Sequence, residues 1–334
     1  MNGELSARIP APDASVSAEG DFVLMDYVRI ARPDHWIKNI FVIPGAAAAV
    51  AVASHEVPSL SLLGTSVVAL LGVCLTASAN YTINEYLDAE YDRYHPLKQK
   101  RPGARGVLDG RLVLLQYLFF ALFGLLIAAG INTPYLVANI SLLAMGLIYN
   151  VAPLRSKDRA YVDVLSESIN NPIRFLLGWF IVAPAVLPPV SALLAYWMGG
   201  AFLMAVKRYS EYRRIGDPQR AALYRKSFKY YSENSLLLSA FFYAVCSAFF
   251  IGIFLIKYRV GLVLTFPLFA GLFTYYLSIG IRKDSAAQAP EKLYREVRLM
   301  TFAGLVFLAA AVLFMVDVPI LQILTETQLV PIPG

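Results

Sequence analysis

Residues 80–93 place several carboxylates and amides together in a chain that is otherwise strongly apolar. Asn84, Asp88 and Asp92 recur every fourth residue, so they share one face if the segment is helical, and Glu85 lies close to that face. Carboxylates stacked on one helix face repel each other, and a hard cation such as Mg²⁺, held together with substrate phosphates, would relieve the repulsion. The alternative is a solvated helix end paired with nearby basic residues. The pattern favours a metal site.

A basic group follows the sixth apolar run, beginning at Lys207 and Arg208 and including Glu211. Lysine and arginine side chains bind phosphate, arginine through two parallel hydrogen bonds. Basic residues at a membrane boundary also anchor a helix on its cytoplasmic side. Both interpretations stay open for this group.

Two further sets of polar residues lie at or inside apolar runs. Asp163, Glu167, Asn170 and Arg174 are spaced by four, three and four residues, which predicts one polar stripe on a helix. Ionisable groups inside a membrane are costly and usually line a functional cavity. A buried ion pair of Arg174 with Glu167 or Asp163 is the alternative.

The other set precedes the first run, where Trp36 is followed by Lys38 and Asn39. Lys38 and Asn39 are placed to reach a phosphate at the membrane surface. Snorkelling of the lysine towards water is the alternative explanation.

The elements that must position these residues follow from composition. The chain has 334 residues, of which 58% are hydrophobic and 16% charged, and its mean hydropathy is +0.57. Soluble domains carry about a quarter charged residues. Nine runs are long and apolar enough to cross a bilayer. The sequence therefore predicts an all-α polytopic membrane protein, a bundle of about nine transmembrane helices, with spans near 37–54, 60–82, 112–131, 134–152, 161–183, 190–207, 235–256, 260–280 and 300–320.

The basic residues are distributed unevenly between the two sides of this predicted bundle. With nine spans, 26 of the 29 lysines and arginines fall on one side. By the positive-inside rule that side is cytoplasmic, which places the N-terminus in the cytoplasm of a multi-pass cell-membrane protein. The net charge of +6 is thus explained by the bilayer and does not indicate a nucleic-acid partner.

The chain ends differ in composition from the rest. Residues 1–20 are polar and predict a disordered tail, residues 21–322 form one membrane domain, and residues 323–334 form a C-terminal tail.

Together these motifs resemble the UbiA superfamily of intramembrane prenyltransferases. That family has nine transmembrane helices and an N-D-x-x-D-x-x-x-D motif after the second. Here the motif begins at Asn84 and ends at Asp92, with Glu85 in place of the first aspartate. The resemblance extends from about Tyr27 to Ile320.

Within the superfamily the chain is most similar to the decaprenyl-phosphate phosphoribosyltransferase branch. That branch carries R-P-x-x-W-x-K-N, matched over residues 32–39, and H-P-x-K-x-x-R-P, matched over residues 95–102. It also carries K-R-Y-x-E, matched over residues 207–211, where members that use prenyl diphosphates have a second aspartate-rich motif. A basic second motif fits direct capture of a phosphate-rich soluble donor.

The resemblance implies transfer of 5-phosphoribosyl from phosphoribosyl pyrophosphate to a polyprenyl phosphate at the cytoplasmic membrane face. It implies Mg²⁺ bound by Glu85, Asp88 and Asp92, with Asn84 beside the two aspartates in catalysis. The expected substrate-binding residues are Lys38, Asn39, Lys98, Arg101, Arg174, Lys207, Arg208 and Glu211.

Two other functions are consistent with parts of the sequence. One is a UbiA-type prenyltransferase that moves a prenyl chain from its diphosphate lipid to an aromatic or other small acceptor, for which the same acidic motif would serve. The other is a transporter or lipid-binding protein. Transporters usually have polar features on both sides of the membrane, whereas the charged loops here lie on one side.

Overall fold

A computed structural model describes residues 23–54, 59–282, 285–288, 290–316 and 318–321, and every regular element within those ranges is helical. The predicted tails, residues 1–20 and 323–334, lie outside the described residues. The α-helices are α1 (Val23–Ala31), α2 (Ile43–Ala49), α3 (Leu60–Leu87), α4 (Ala89–Asp92), α5 (Pro102–Arg105), α6 (Gly110–Ile131), α7 (Thr133–Asn150), α8 (Val162–Ser168), α9 (Asn170–Val182), α10 (Val190–Ile215), α11 (Pro218–Tyr224), α12 (Glu233–Tyr258), α13 (Phe266–Ile281) and α14 (Val297–Met315).

Shorter helical segments connect them. A π-helical turn, Val50–Ser54, follows α2, and the 3₁₀ segments are Pro33–Val42, Lys98–Lys100, Ser156–Asp158, Lys226–Tyr230, Val260–Thr265, Ala286–Gln288 and Pro290–Arg295.

Local sequence explains where several long helices begin. The side chains of Ser59, Asp109 and Asn132 accept a hydrogen bond from the backbone N–H groups of the first turns of α3, α6 and α7. Ser232 and Ser235 form a reciprocal capping box at the start of α12. Helix α10 ends at Gly216, whose φ of 71° is in the left-handed region that favours glycine.

Membrane spans are recognisable by length and hydropathy. Within the described residues, seven helical stretches satisfy both criteria, and the first joins α1 to the end of the π-helical turn, Leu24–Ala53. The all-α membrane bundle predicted from the sequence is therefore confirmed, and the count of about nine is approximate. The two remaining predicted spans correspond to α7 and to the pair α8 and α9, which is interrupted at Ile169 before Pro172.

Helix α3 lies at the centre of the half of the bundle that carries the acidic motif, and it packs against α6, α7 and α9. Helices α2 and α9 approach unusually closely. A Cβ atom at Gly45 would lie 1.9 Å from the carbonyl oxygen of Phe175, and one at Gly178 would lie 1.9 Å from that of Val42. Small residues that allow such backbone contact are typical of helix pairs in membranes.

The other half of the bundle is organised around α10, which packs against α12, α8 and α13. Helices α3 and α10 both end on the same side, at Leu87 and Ile215. We call this side the basic end, because the segments 93–109, 151–161 and 216–232, which carry most of the loop lysines and arginines, meet there.

Candidate active site

A cavity lies at the basic end, between α3, α7, α9 and α10. Its lining is strongly cationic: among the described residues, eleven basic side chains face only four carboxylates. The carboxylates are Asp88, Asp92, Asp158 and Glu167, and the basic residues are Arg32, Lys38, Lys98, Arg101, Arg155, Lys157, Arg174, Lys207, Arg208, Arg225 and Lys226. The excess of positive charge makes the cavity suited to a ligand that carries several phosphate groups.

The acidic motif enters the cavity from the end of α3. Asp88 Oδ1 accepts hydrogen bonds from Lys157 Nζ at 2.5 Å and from an Arg155 guanidinium nitrogen at 3.1 Å. The Asn84 side-chain amide donates to Asp88 Oδ2 at 3.2 Å and to Asn150 Oδ1 at 2.5 Å. Burial opposes ionisation of Asp88, but Lys157, Arg225 and Arg155 outweigh it and lower its pKa. Asp88 is therefore a carboxylate anion.

Asp92 is one helical turn further and more deeply buried. Its Oδ2 accepts a hydrogen bond from Arg101 at 2.6 Å. Burial raises its pKa, Arg101 and Lys98 lower it, and the charge on Asp88 raises it again, with a net increase. The two carboxylates thus repel each other, and a further cation between them would relieve that repulsion.

The donor set fits Mg²⁺ held jointly with substrate. Asn84, Asp88 and Asp92 all line the cavity, and their side-chain oxygens are hard ligands. Among the described residues no three His, Cys, Asp or Glu side chains converge to form a closed metal cage. Mg²⁺ is commonly bound by one or two carboxylates, water and substrate phosphates, which matches an open arrangement of this kind.

Glu85 lies elsewhere. Its side chain is 2% exposed, does not line the cavity and accepts hydrogen bonds from Arg32 at 2.6 and 3.1 Å. Gly103 packs against it so closely that a Cβ there would lie 2.7 Å from the Glu85 carbonyl oxygen. Its predicted role as a metal ligand does not match this position, because the carboxylate is directed into the helix packing.

The predicted group at the end of α10 is divided between two environments. Lys207 lines the cavity, and its Nζ lies 3.8 Å from Glu167 Oε1. Arg208 also lines the cavity, but it is 1% exposed and its guanidinium is bound by protein partners, among them Glu211 at 2.9 Å, the Tyr149 hydroxyl at 3.0 Å and a Glu167 oxygen. Glu211 is also 1% exposed and does not line the cavity. The structure therefore presents Lys207 to a substrate and uses Arg208 and Glu211 as an internal support.

Lys98 connects two of the loops at the basic end. Its Nζ donates to Glu211 at 2.9 Å and to the Tyr224 hydroxyl. His95 packs against the same tyrosine, with ring centroids 4.7 Å apart and ring planes tilted by 58°, and its Nδ1 accepts from the backbone N–H groups of Leu97 and Lys98. Burial, together with the charge on Lys98, lowers the pKa of His95 to about 3, so the imidazole is neutral. Lys98 and Arg101 both line the cavity, and their binding of substrate stays a prediction.

Arg155, Lys157 and Arg225 also line the cavity, although the sequence predicts Arg155 and Lys157 only as loop charges and Arg225 only as part of the basic group that begins at Lys207. Lys157 is buried, and it bonds to Asp88 and, at 2.7 Å, to Asn150 Oδ1. Burial lowers the pKa of Lys157 to about 8 against the opposing effect of Asp88. The bond from Lys157 to Asp88 joins residues 69 apart in the sequence, so no local pattern indicates it.

Arg174, Asn39 and Lys38 are gathered at the membrane side of the cavity. Arg174 Nε donates to Asn39 Oδ1 at 3.1 Å, and Asn39 Nδ2 contacts Cys74 Sγ at 3.2 Å. Lys38 and Arg174 line the cavity, whereas Asn39 lies behind them and is 1% exposed. The alternative pair of Glu167 with Arg174 does not form in the described structure, because Glu167 is bound by Arg208 and Tyr149.

Comparison with known proteins gives consistent matches. The profile of the UbiA prenyltransferase family matches residues 41–305. A decaprenyl-phosphate phosphoribosyltransferase of Mycolicibacterium smegmatis is 32% identical over 231 residues, which are 66% of this chain and 68% of the relative. A protoheme IX farnesyltransferase of Alkalihalophilus pseudofirmus is 26% identical over 212 residues, covering 62% of this chain and 67% of the relative.

Among solved structures, a UbiA homologue from Archaeoglobus fulgidus bound to GPP and Mg²⁺ aligns with a TM-score of 0.65. The alignment covers 87% of this chain and all of the homologue, at 20% sequence identity. Identity this low establishes the shared fold alone.

Proposed function

The chain belongs to the UbiA prenyltransferase family, and from that premise we propose that it transfers 5-phosphoribosyl from phosphoribosyl pyrophosphate to a polyprenyl phosphate. We place the reaction at the cytoplasmic face of the cell membrane and assign Mg²⁺ as the cofactor. The relatives that are decaprenyl-phosphate phosphoribosyltransferases support the choice of substrates.

The observation that carries the proposal is the charge of the cavity. Eleven basic side chains and four carboxylates line it in the described part of the chain, and the cations remain in excess when the carboxylates that pair with them from behind the lining, Glu85, Asp163 and Glu211, are included. A prenyl diphosphate brings one diphosphate and an apolar tail. Phosphoribosyl pyrophosphate brings a pyrophosphate and a separate 5-phosphate, and the acceptor lipid phosphate is a third anionic group. The proposed substrates bring more phosphate groups than a prenyl diphosphate does, and this matches the excess of cations in the lining.

The proposed chemistry needs positioning and charge stabilisation more than proton transfer. An oxygen of the lipid phosphate attacks the anomeric carbon of the ribose, the bond from that carbon to the pyrophosphate oxygen breaks, and pyrophosphate leaves with the bonding electrons. The second pKa of a phosphate monoester is about 6, so the attacking oxygen is already ionised at neutral pH and needs no general base.

Five polar residues of the cavity have a defined role in this scheme. Asp88 and Asp92, with Asn84, would hold Mg²⁺, which when bound supplies positive charge beside the pyrophosphate. Lys207 lies on the opposite wall, on α10, and binds donor phosphate. Lys157 keeps Asp88 in place through its 2.5 Å hydrogen bond.

The test is incubation of the purified protein with Mg²⁺, phosphoribosyl pyrophosphate and a polyprenyl phosphate, followed by mass analysis of the lipid. The expected product is the lipid phosphate with one added 5-phosphoribosyl group, together with pyrophosphate. A parallel reaction receives a prenyl diphosphate and an aromatic acceptor. Prenylation of the acceptor with no consumption of phosphoribosyl pyrophosphate would refute the proposed substrates and leave the family assignment intact.

A further inference from the structure

We propose that Arg174, positioned by Asn39, forms a phosphate-monoester subsite at membrane depth, at a different level from the acidic motif. The subsite rests on the proposed function for the identity of the molecule that brings the phosphate. Its chemistry rests on the contacts of the arginine alone.

Arg174 is a membrane-embedded cation that no described carboxylate neutralises. It lies one turn into α9 and lines the cavity. Its hydrogen bonds go to uncharged acceptors, Asn39 Oδ1 at 3.1 Å and the Asn170 carbonyl oxygen at 3.4 Å. By contrast, Arg208 on α10 is surrounded by carboxylates. A guanidinium without a counter-charge inside a membrane is costly, and an anionic ligand would remove that cost.

The depth of Arg174 follows from its neighbours on α3. Its partner Asn39 contacts Cys74 Sγ, and Cys74 precedes Asp88 by fourteen residues on that helix. At a rise of 1.5 Å per residue, this spacing puts their backbones about 21 Å apart along the helix axis. Arg174, which reaches Cys74 through Asn39, therefore lies at a greater depth in the bundle than the acidic motif.

The position of Asn39 is fixed by a ladder of contacts between the 3₁₀ segment Pro33–Val42 and α3. Arg32 bonds to Glu85 at 2.6 Å, Trp36 Nε1 donates to Ser78 at 2.9 Å, and Asn39 contacts Cys74. As the segment advances, its contacts move back along α3, so the two run antiparallel. The side-chain N–H of Asn39 is directed at the sulfur, and its oxygen consequently faces Arg174.

A second constraint comes from the close backbone contact of α2 with α9 at Gly45 and Gly178, described above. Asn39 lies in the 3₁₀ segment that leads into α2, and Arg174 lies in α9, so this backbone contact holds the two residues at a fixed separation. A guanidinium fixed at Nε offers its remaining N–H groups to the cavity, and this geometry suits the oxygens of a phosphate monoester.

Two substrates of the proposed reaction carry a phosphate monoester: the donor through its 5-phosphate and the acceptor lipid through its only phosphate. Both are outcomes of one experiment. The affinities of phosphoribosyl pyrophosphate and of farnesyl phosphate are measured separately by calorimetry, with Mg²⁺ present and without turnover. The variants are Arg174→Gln and Asn39→Asp, and the control is Arg111→Gln, which removes an exposed arginine from the start of α6, outside the cavity lining.

We expect Arg174→Gln to weaken one of the two probes by about 10- to 100-fold, the effect of losing a charge-assisted contact, and to leave the other probe within about twofold. The affected probe identifies the source of the phosphate. Asn39→Asp keeps an oxygen towards Arg174 but neutralises it, so the same affinity should fall while the melting temperature is maintained. A residue with a merely structural role would lower the melting temperature instead.

The proposal is overturned if both variants bind both probes as the wild type does, or if both probes weaken equally together with a lowered melting temperature. Should Arg174→Gln fail to fold, Asn39→Asp alone decides the matter. This binding experiment is independent of the turnover assay. If the wild-type protein is active but both variants bind the probes normally, only the subsite is refuted. If the wild-type protein shows no phosphoribosyl transfer but a variant loses affinity for one probe, only the assigned reaction is refuted.

Discussion

Replacement of Arg208 by methionine tests whether this arginine supports the site from within or binds the donor. Its guanidinium is 1% exposed and bridges Glu211, Glu167 and the Tyr149 hydroxyl, with Asp163 Oδ2 at 3.5 Å from Nε. Methionine fills a similar volume but leaves these carboxylates without their central cation. Breaking a buried ion pair from one side costs about 3–5 kcal/mol.

The matched control is Lys207→Met, at the neighbouring position on the same helix. Lys207 lies 3.8 Å from a single carboxylate oxygen and its side chain is 15% exposed. Its removal should therefore lower stability much less than removal of Arg208, because Lys207 loses one long ion contact whereas Arg208 loses several short hydrogen bonds to carboxylates. Loss of its contact with donor phosphate should nevertheless weaken phosphoribosyl pyrophosphate binding by about 10-fold or more.

The assay is thermal unfolding of both variants in the same detergent, followed by calorimetric titration of phosphoribosyl pyrophosphate. We expect the melting temperature of Arg208→Met to fall by about 10 °C, while that of Lys207→Met changes little. Arg208→Lys should lie between the wild type and Arg208→Met, because it restores one charge without the planar fork. If Arg208→Met melts with the wild type and loses only donor affinity, the internal network is not its role and the arginine contacts substrate.

Three other predictions follow from the same structure. Asp88→Asn and Asp92→Asn should each abolish turnover in a folded protein, since each removes a hard anionic ligand from the cavity; wild-type Mg²⁺ dependence in both variants would exclude the metal role. Cysteines introduced at the exposed positions Gln99 and Gln219 should react with an impermeant reagent only after the cells are opened, and labelling of intact cells would reverse the proposed orientation. The pKa of His95 is lowered from 6.5 to about 3 in the folded protein, so as the pH falls the unfolded chain gains a proton at this position first. The free energy of unfolding should therefore decrease below about pH 6.5, and this histidine contributes up to about 1.4 kcal/mol per pH unit to the decrease. His95→Asn should lack that contribution when its unfolding is compared with that of the wild type between pH 7 and pH 4. Identical pH profiles for the two proteins would contradict the buried neutral imidazole.

The sequence by itself determined the membrane bundle and the general location of the site. Runs of about 20 apolar residues can satisfy their backbone hydrogen bonds in lipid only as helices, so hydropathy was sufficient to predict an all-α protein. The four-residue spacing of Asn84, Asp88 and Asp92 similarly predicted that their side chains share one helix face. The three residues lie between the last turn of α3 and the end of α4, and all three line the cavity. Periodicity is a local property, and local properties can be read from one segment.

Only the tertiary structure decided which charged groups face the substrate. Glu85 adjoins the acidic face yet pairs with Arg32, which is 53 residues away, and Arg208 directly follows Lys207 yet its guanidinium is bound by buried Glu211. Lys157 reaches Asp88 across 69 residues of sequence. Whether a charged side chain pairs with another residue of the protein or remains available to a ligand depends on which helices pack together. That choice is made by side chains from distant segments competing for the same buried space, and no single segment contains the information.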